Sequence, residues 1–308
     1  MEKQLIGKSK MESSRIVLGC MRLADKTIEE AKLILLTSLY SGINTFDHAD
    51  IYGGNGKSEE VFGKAFKEMN IDRSTVILQS KVSIRPDEGT YDLSYDHIIN
   101  SVDGILNRLQ TSYLDILLLH RPDALMDPKE VARAFDTLHK SGKVKHFGVS
   151  NFNPHQIDML QHFTKHPIIT NQVQFSLAHS LIIDEGINVN LDQKDAVVRA
   201  SGILEHAVIN NITLQAWSPF QHGFIEGPFI DNPEFEELNA MLDTIAEKYD
   251  TTKTAVATAW ILTHPAKIQV TAGSMNPSRI KEIALGTDIK LSRKDWYDLY
   301  KASGKRLP

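Results

Sequence analysis

Residues 42–54 read GINTFDHADIYGG, and the fold turns on where that stretch sits. Asn44 to Ala49 has the composition of a short buried strand, and Asp50 to Gly54 that of the turn leaving it. Asp47 would then stand at the strand's carboxyl end among apolar neighbours, where an ionised carboxylate is costly unless a cation meets it. Tyr52 lies in the glycine-rich turn that follows, which can bring its hydroxyl back over the same strand end. Taken alone, the pair reads as a turn cap and a packed rim. Position relative to the other strands decides between these readings.

Working outward, apolar runs of strand length alternate with helical patterns. Arg15–Gly19 reads as a first strand, followed by a helix over about Thr27–Tyr40 with Ile28, Ala31, Leu35 and Leu39 at helical spacing. The stretch around Asp47 is the second strand, and a helix over Lys57–Lys67 follows it. Thr75–Lys81 is the third strand, and Ser94 opens a helix carrying Ile98, Val102, Ile105 and Leu109 on one face. Tyr113–His120 is the fourth strand. The next helix is expected to start with Asp127 as N-cap, Pro128 at its first position and Glu130 closing a capping box, and to stop at Gly142. Val144–Ser150 is strand five, Asn153 and Pro154 open the helix after it, and strand six lies in Ile169–Phe175.

A polar loop is expected over Leu177–Gln193, then a helix from about Asp195 to Ile209 and strand seven at Ile212–Trp217. After a second loop, Gln221–Pro233, helices end near Tyr249 and span Thr254–Leu262. Ile268–Ala272 is strand eight, Pro277 opens the helix behind it, and Leu291–Lys301 forms an extra C-terminal helix. Eight strands alternating with helices, without a linker or a shift in composition, predict a single-domain α/β fold over residues 1–308, a closed parallel (β/α)8 TIM barrel.

Composition agrees with that size of core: 308 residues, of which 42% are hydrophobic. The net charge of −5 speaks against a general nucleic-acid surface, so an anionic ligand would need a local basic site. No apolar run reaches the roughly 18 residues of a membrane span. The opening MEKQLIGKSKMESS lacks the apolar centre of a signal peptide, so a cytoplasmic protein is expected. The lone Cys20 cannot form an intramolecular disulfide and reads as a small buried hydrophobe. A monomer or weak oligomer is the expected state.

In such a barrel the carboxyl ends of the strands share one face, which holds the active site. Asp47, Lys81 and His120 close strands two, three and four, and Tyr52 lies in the loop after strand two, so four titratable residues are expected in one pocket. Lys81 is the cation that Asp47 requires. Its ammonium beside Tyr52 is expected to lower the phenol's pKa from about 10, which would make Tyr52 a usable proton donor. His120 can hold the same substrate oxygen in line.

With these residues in place, the chain resembles the aldo/keto reductases, NADPH-dependent carbonyl reductases built on this barrel. The resemblance spans nearly the whole chain. It rests on GINTFDHADIYG, on Ser80 with Lys81, on LLLH ending at His120, on GVSNF from Gly148, on Asn171 with Gln172, and on GSMNPSRIKE from Gly273. It implies a catalytic group of Asp47, Tyr52, Lys81 and His120, with Tyr52 as the acid that protonates the carbonyl of an aldehyde or ketone. It further implies that Ser150, Asn151 and Gln172 hold the nicotinamide amide, and that the ring stacks on Trp217. Ser218 and the loop through Gly223 would approach the pyrophosphate. Gly273, Ser274, Asn276 and Arg279 would lie around the adenosine 2′-phosphate, with Arg279 offering a bidentate grip. Gly273 stands where many relatives carry lysine, and Ile283 where many carry asparagine. The implied cofactor is NADPH ahead of NADH.

Other classes fit the residues less well. A metal-dependent hydrolase on this barrel would want a His-x-His ligand pair on one strand face, which Asp47, His48 and Asp50 do not provide. No metal is therefore expected. A non-catalytic NADPH-binding barrel, acting as a redox-responsive partner of other proteins, is the alternative function. A barrel without any ligand is the remaining one.

Overall fold

The computed structural model describes residues 1–192 and 196–307. Eight parallel strands close on themselves in chain order: β1 (Ile16–Gly19), β2 (Thr45–Asp47), β3 (Ile77–Val82), β4 (Leu114–Leu119), β5 (Val144–Ser150), β6 (Ile168–Gln174), β7 (Thr213–Trp217) and β8 (Gln269–Ala272). β8 pairs with β1, setting Val270 opposite Ile16, and this pairing closes the ring. The fold is the (β/α)8 barrel that the strand–helix alternation predicts.

The helices form where pattern and capping coincide. Thr27 and Glu30 make a reciprocal capping box ahead of Ile28–Tyr40, and Asn153 and Gln156 make another ahead of Pro154–Phe163. Ser94 caps Tyr95–Leu109, whose Ile98, Val102, Ile105 and Leu109 are buried as their spacing requires. Asp127 does cap Pro128–Lys140, but its carboxylate accepts from the Lys129 amide and no box forms. Glu130 instead lies 3.5 Å from the Tyr95 amide on the neighbouring helix.

Several boundaries differ from the sequence expectation. The Leu177–Gln193 loop contains a helix, Leu181–Ile187, and Gln193 lies outside the described residues. The helix expected from Asp195 runs only over Ile203–Asn210, and Asp195 also lies outside the described residues. A glycine in left-handed conformation, Gly202 at φ +69°, starts it late. The Gln221–Pro233 loop carries a two-stranded hairpin pairing Gln221–His222 with Gly227–Pro228. The extra C-terminal helix is present at Arg293–Ala302, capped by Ser292.

An element unforeseen in the sequence closes the amino-terminal end of the barrel. Lys3–Leu5 and Glu12–Ser14 form an antiparallel hairpin, and the residue after its first strand, Ile6, packs with Ile77, Ile116, Leu118 and Ile169. The Gly7 amide donates to Thr213 Oγ1 at 2.8 Å, and a Cβ on Gly7 would stand 2.3 Å from the Ile169 carbonyl oxygen. Only glycine fits there, at φ +49°.

The barrel interior above this plug is polar. Gln79 and Gln215 exchange hydrogen bonds at 2.9 and 3.1 Å, Gln172 donates to Gln215 Oε1 at 3.2 Å, and Gln215 donates to Gln269 Oε1 at 3.0 Å. Gln269 in turn donates to Ser13 Oγ and the Ser14 carbonyl, both at 2.8 Å. Buried amides satisfy one another in this way at little net cost. No described helix is long and apolar enough to cross a membrane.

Candidate active site

The strand ends bring Asp47, Lys81, Tyr52 and His120 to one place. Asp47 is the last residue of β2, Lys81 the penultimate residue of β3, and His120 follows β4 directly. Lys81 is fully buried, and its Nζ lies 2.6 and 2.7 Å from the two Asp47 oxygens. The same ammonium donates to the His48 carbonyl at 2.8 Å and to the Tyr52 hydroxyl at 3.2 Å. These four acceptors satisfy a charge that could not otherwise be buried. The His120 ring stands edge-on to Tyr52, with centroids 6.0 Å apart.

Asp47 has further donors. Gln79 Nε2 reaches its Oδ1 at 2.6 Å and Gln172 Nε2 at 3.1 Å, which joins the carboxylate to the glutamines of the barrel interior. Burial opposes the charge on Lys81, but Asp47 and then Tyr52 outweigh it and hold the ammonium above its ordinary range.

Tyr52 departs from the sequence expectation. Burial raises its phenol above the ordinary value, and the opposing pull of Lys81 is too small to reverse that. Tyr52 is accordingly a protonated phenol at neutral pH. Burial, with Lys81 and Arg121 adding to it, pushes His120 well below its ordinary range, so its imidazole is neutral, and Nδ1 has no partner. His48, wholly buried against Phe62, is likewise held neutral, down at about 3, and neither of its ring nitrogens has a partner. Burial raises the Cys20 thiol well above its ordinary range, in keeping with a packing role.

A second carboxylate pair lies behind the lysine. Glu59 is fully buried, accepts from Ser80 Oγ at 2.6 Å and is paired with Arg108 at 2.8 Å. Burial and then Glu59 push Asp50 up to about 7. The sequence reading missed this cluster, since it joins residues on different elements.

The residues expected to hold a cofactor lie at and beyond the ends of β5 to β8, around the mouth of the barrel. Ser150 Oγ donates to the Gln172 carbonyl at 2.9 Å, Asn151 Nδ2 donates to Ser150 Oγ at 2.9 Å, and Trp217 Nε1 donates to Asn151 Oδ1 at 3.1 Å. Asn151 and Ser218 hold left-handed backbones, at φ +62° and +50°. Such strain concentrates where a backbone must meet a ligand. The Gly223 carbonyl accepts from Gln174 Nε2, tying the Gln221–Pro228 hairpin to the end of β6. Across the mouth, Asn276 caps the Pro277–Leu285 helix through its own Oδ1, and Ser274 Oγ accepts from the Asn276 amide at 3.3 Å. Arg279 is exposed in the first turn of that helix. Arg22, which the sequence reading did not single out, donates to the Gly273 carbonyl at 3.1 Å and puts a second guanidinium beside this turn.

The chain is similar to known proteins along nearly its whole length. The model of the aldo/keto reductase family matches residues 15–303. A 6-dehydroglucose reductase of Novosphingobium aromaticivorans is 35% identical over 98% of this chain and 96% of its own length. The oxidoreductase YdhF of Escherichia coli is 35% identical over 95% of this chain and 94% of its own length. Among solved structures, a thermostable aldo-keto reductase superposes with a TM-score of 0.76 at 24% identity, covering 98% of this chain and all of that one, which bears on the fold alone. The chain belongs to the aldo/keto reductase family of NAD(P)H-dependent oxidoreductases.

Proposed function

We propose that this chain reduces aldehydes or ketones with NADPH, and that Tyr52 donates the proton. The observation that carries the reading is the relay in which Asp47 fixes Lys81 and Lys81 meets the Tyr52 hydroxyl at 3.2 Å. A proton donor must hold its proton until the acceptor develops charge, and the raised phenol does so. As a carbonyl oxygen gains negative charge, the ammonium behind Tyr52 favours release of the proton to it. Neutral His120 is suited to donate one hydrogen bond to the same oxygen and fix its position.

The residues at the mouth suit a dinucleotide. The amides of Asn151 and Gln172 and the hydroxyl of Ser150 present the polar groups that a nicotinamide amide would take, and the half-buried Trp217 offers an aromatic face. Ser218 and Gly223 flank the path of a pyrophosphate. Arg22 lies against Gly273, where an added Cβ would meet its Nη1 at 3.4 Å, and Arg279 stands exposed in the first turn of the helix that follows. Two guanidiniums there favour a 2′-phosphate, hence NADPH over NADH. Asn276 would contribute by shaping the turn, since its Oδ1 is engaged as the helix cap. When bound, the reduced nicotinamide supplies the hydride. The reading takes a small carbonyl compound as substrate, and relatives named as 6-dehydroglucose reductases point towards polar, sugar-like aldehydes.

The test is Tyr52→Phe, assayed by NADPH oxidation against a panel of aldehydes, ketones and quinones and by NADPH titration. Turnover is expected to fall by about 10² to 10⁴-fold with cofactor affinity nearly unchanged. Retention of wild-type turnover would place the proton elsewhere.

A further inference from the structure

Arg121 follows His120 directly and is a charged group at this end of the pocket that the relay does not use. Its backbone is pinned twice: its amide donates to Ser83 Oγ at 3.0 Å, and Pro122 restricts it to an extended conformation. Its guanidinium carbon lies 5.9 Å from the centre of the Phe224 ring, on the hairpin after β7. Phe224 itself stands edge-on to Trp217 at 6.1 Å. Arg121 thus bridges the mouth between the end of β4 and the aromatic pair beside the proposed nicotinamide platform.

The guanidinium has no carboxylate within ion-pair distance among the described residues. Nearby charges are engaged elsewhere. Arg85 pairs with Asp92 and Glu88, while Asp123 accepts from the Leu93 and Leu125 amides at 3.1 and 2.8 Å. Lys81, the other cation in the pocket, is neutralised by Asp47. Beside His120 the pocket therefore keeps an uncompensated positive charge, half-buried, where it is screened less than a charge in bulk water. A planar guanidinium in that position matches a carboxylate or another oxyanion better than any neutral group.

We infer that Arg121 is a specificity residue that selects carbonyl substrates bearing an oxyanion, such as oxo acids and uronates, by gripping the anion while the carbonyl faces Tyr52 and His120. The inference rests on the reductase reading and adds the substrate's charge to it.

The test compares kcat/KM, with NADPH, for three acids and their methyl esters: glyoxylate, succinic semialdehyde and D-glucuronate. The wild type should prefer at least one acid over its ester by about tenfold or more, the scale of one charge-assisted hydrogen bond. In Arg121→Gln that ratio should fall towards one. Equal turnover of every acid and its ester, or an acid preference that survives in Arg121→Gln, overturns the inference while the reductase reading stands. An arginine that grips only sugar hydroxyls would give that equality. If the variant does not fold, the wild-type ratios decide. Failure to reduce any of the acids overturns this inference, and the panel of aldehydes, ketones and quinones decides separately whether the reductase reading stands.

Discussion

Lys81 and Asp47 form an ion pair with almost no exposed surface, the ammonium 2.6 and 2.7 Å from the two carboxylate oxygens. Removing one partner of such a pair leaves the other charge buried alone, at a cost of about 3 to 5 kcal/mol. Lys81→Met is therefore expected to lower thermal and urea stability by that order as well as to suppress turnover. Tyr52→Phe, which deletes only a hydroxyl, should suppress turnover and keep the wild-type melting temperature. Calorimetry of the two variants side by side separates the roles, and a stable Lys81→Met protein would show that Asp47 does not depend on the lysine.

Asp50 gives the pH dependence a definite sign. Burial and Glu59 raise its carboxyl from 3.8 to about 7, so between those values the native protein holds a proton that the unfolded chain has released. Stability from this group is present at the acid end and is lost as pH rises through about 7. The loss amounts to roughly 1.4 kcal/mol for each unit of real shift, reduced by whatever water reaches the group. His48 acts oppositely: its native value near 3 lies below the ordinary 6.5, so its contribution is lost as pH falls. Asp50→Asn removes only the first effect, and its urea midpoint should decline less than that of the wild type between about pH 5 and about pH 8. Equal declines would contradict the assignment.

Arg279→Ala should weaken NADPH by about 1.5 to 3 kcal/mol and leave NADH nearly unchanged, as expected for one charge-assisted contact to a 2′-phosphate. Arg22→Ala should act in the same direction. Titration with both reduced nicotinamides checks this, and equal losses for the two cofactors would remove both arginines from the phosphate.

The glutamines of the barrel interior predict a non-additive pair. Gln79→Leu leaves Gln215 and Asp47 each short of a partner and should cost about 1 to 3 kcal/mol. Adding Gln215→Leu removes groups that the first change orphaned, so the double variant should be less destabilised than the sum of the singles. A urea double-mutant cycle measures the difference, and simple additivity would mean that the two amides are not coupled.

The barrel was legible because each strand announces itself as an apolar run bounded by turns, and because Asp47, Lys81 and His120 all fall at strand ends. Period and position suffice for that much. The hairpin of Lys3–Leu5 and Glu12–Ser14 was not legible, since three-residue strands show no periodicity and are held by tertiary contacts. The helix at Leu181–Ile187 is not legible in the sequence, because its polar flanks hide a single apolar turn. The direction of the Tyr52 shift failed for a different reason: sequence shows which charges come near but not how much water is removed, and here burial outweighs Lys81. Arg22 and Arg121 depend on how segments between the strands and helices run, and the Glu59 cluster on how two helices pack against a strand, which no local pattern encodes.

The amino-terminal plug also carries a consequence for the order of assembly. Gln4 Nε2 donates to the Lys267 carbonyl at 2.8 Å across a separation of 263 residues, and Gly7 bonds Thr213 across 206. Residues early in this sequence therefore have their partners late in it. Contacts so distant in sequence reward the chain only after the intervening strands have docked, which makes seating of Ile6 a late step in folding. Substitutions there are expected to speed unfolding and leave the folding rate nearly unchanged, as for a latch on a finished barrel and not its nucleus.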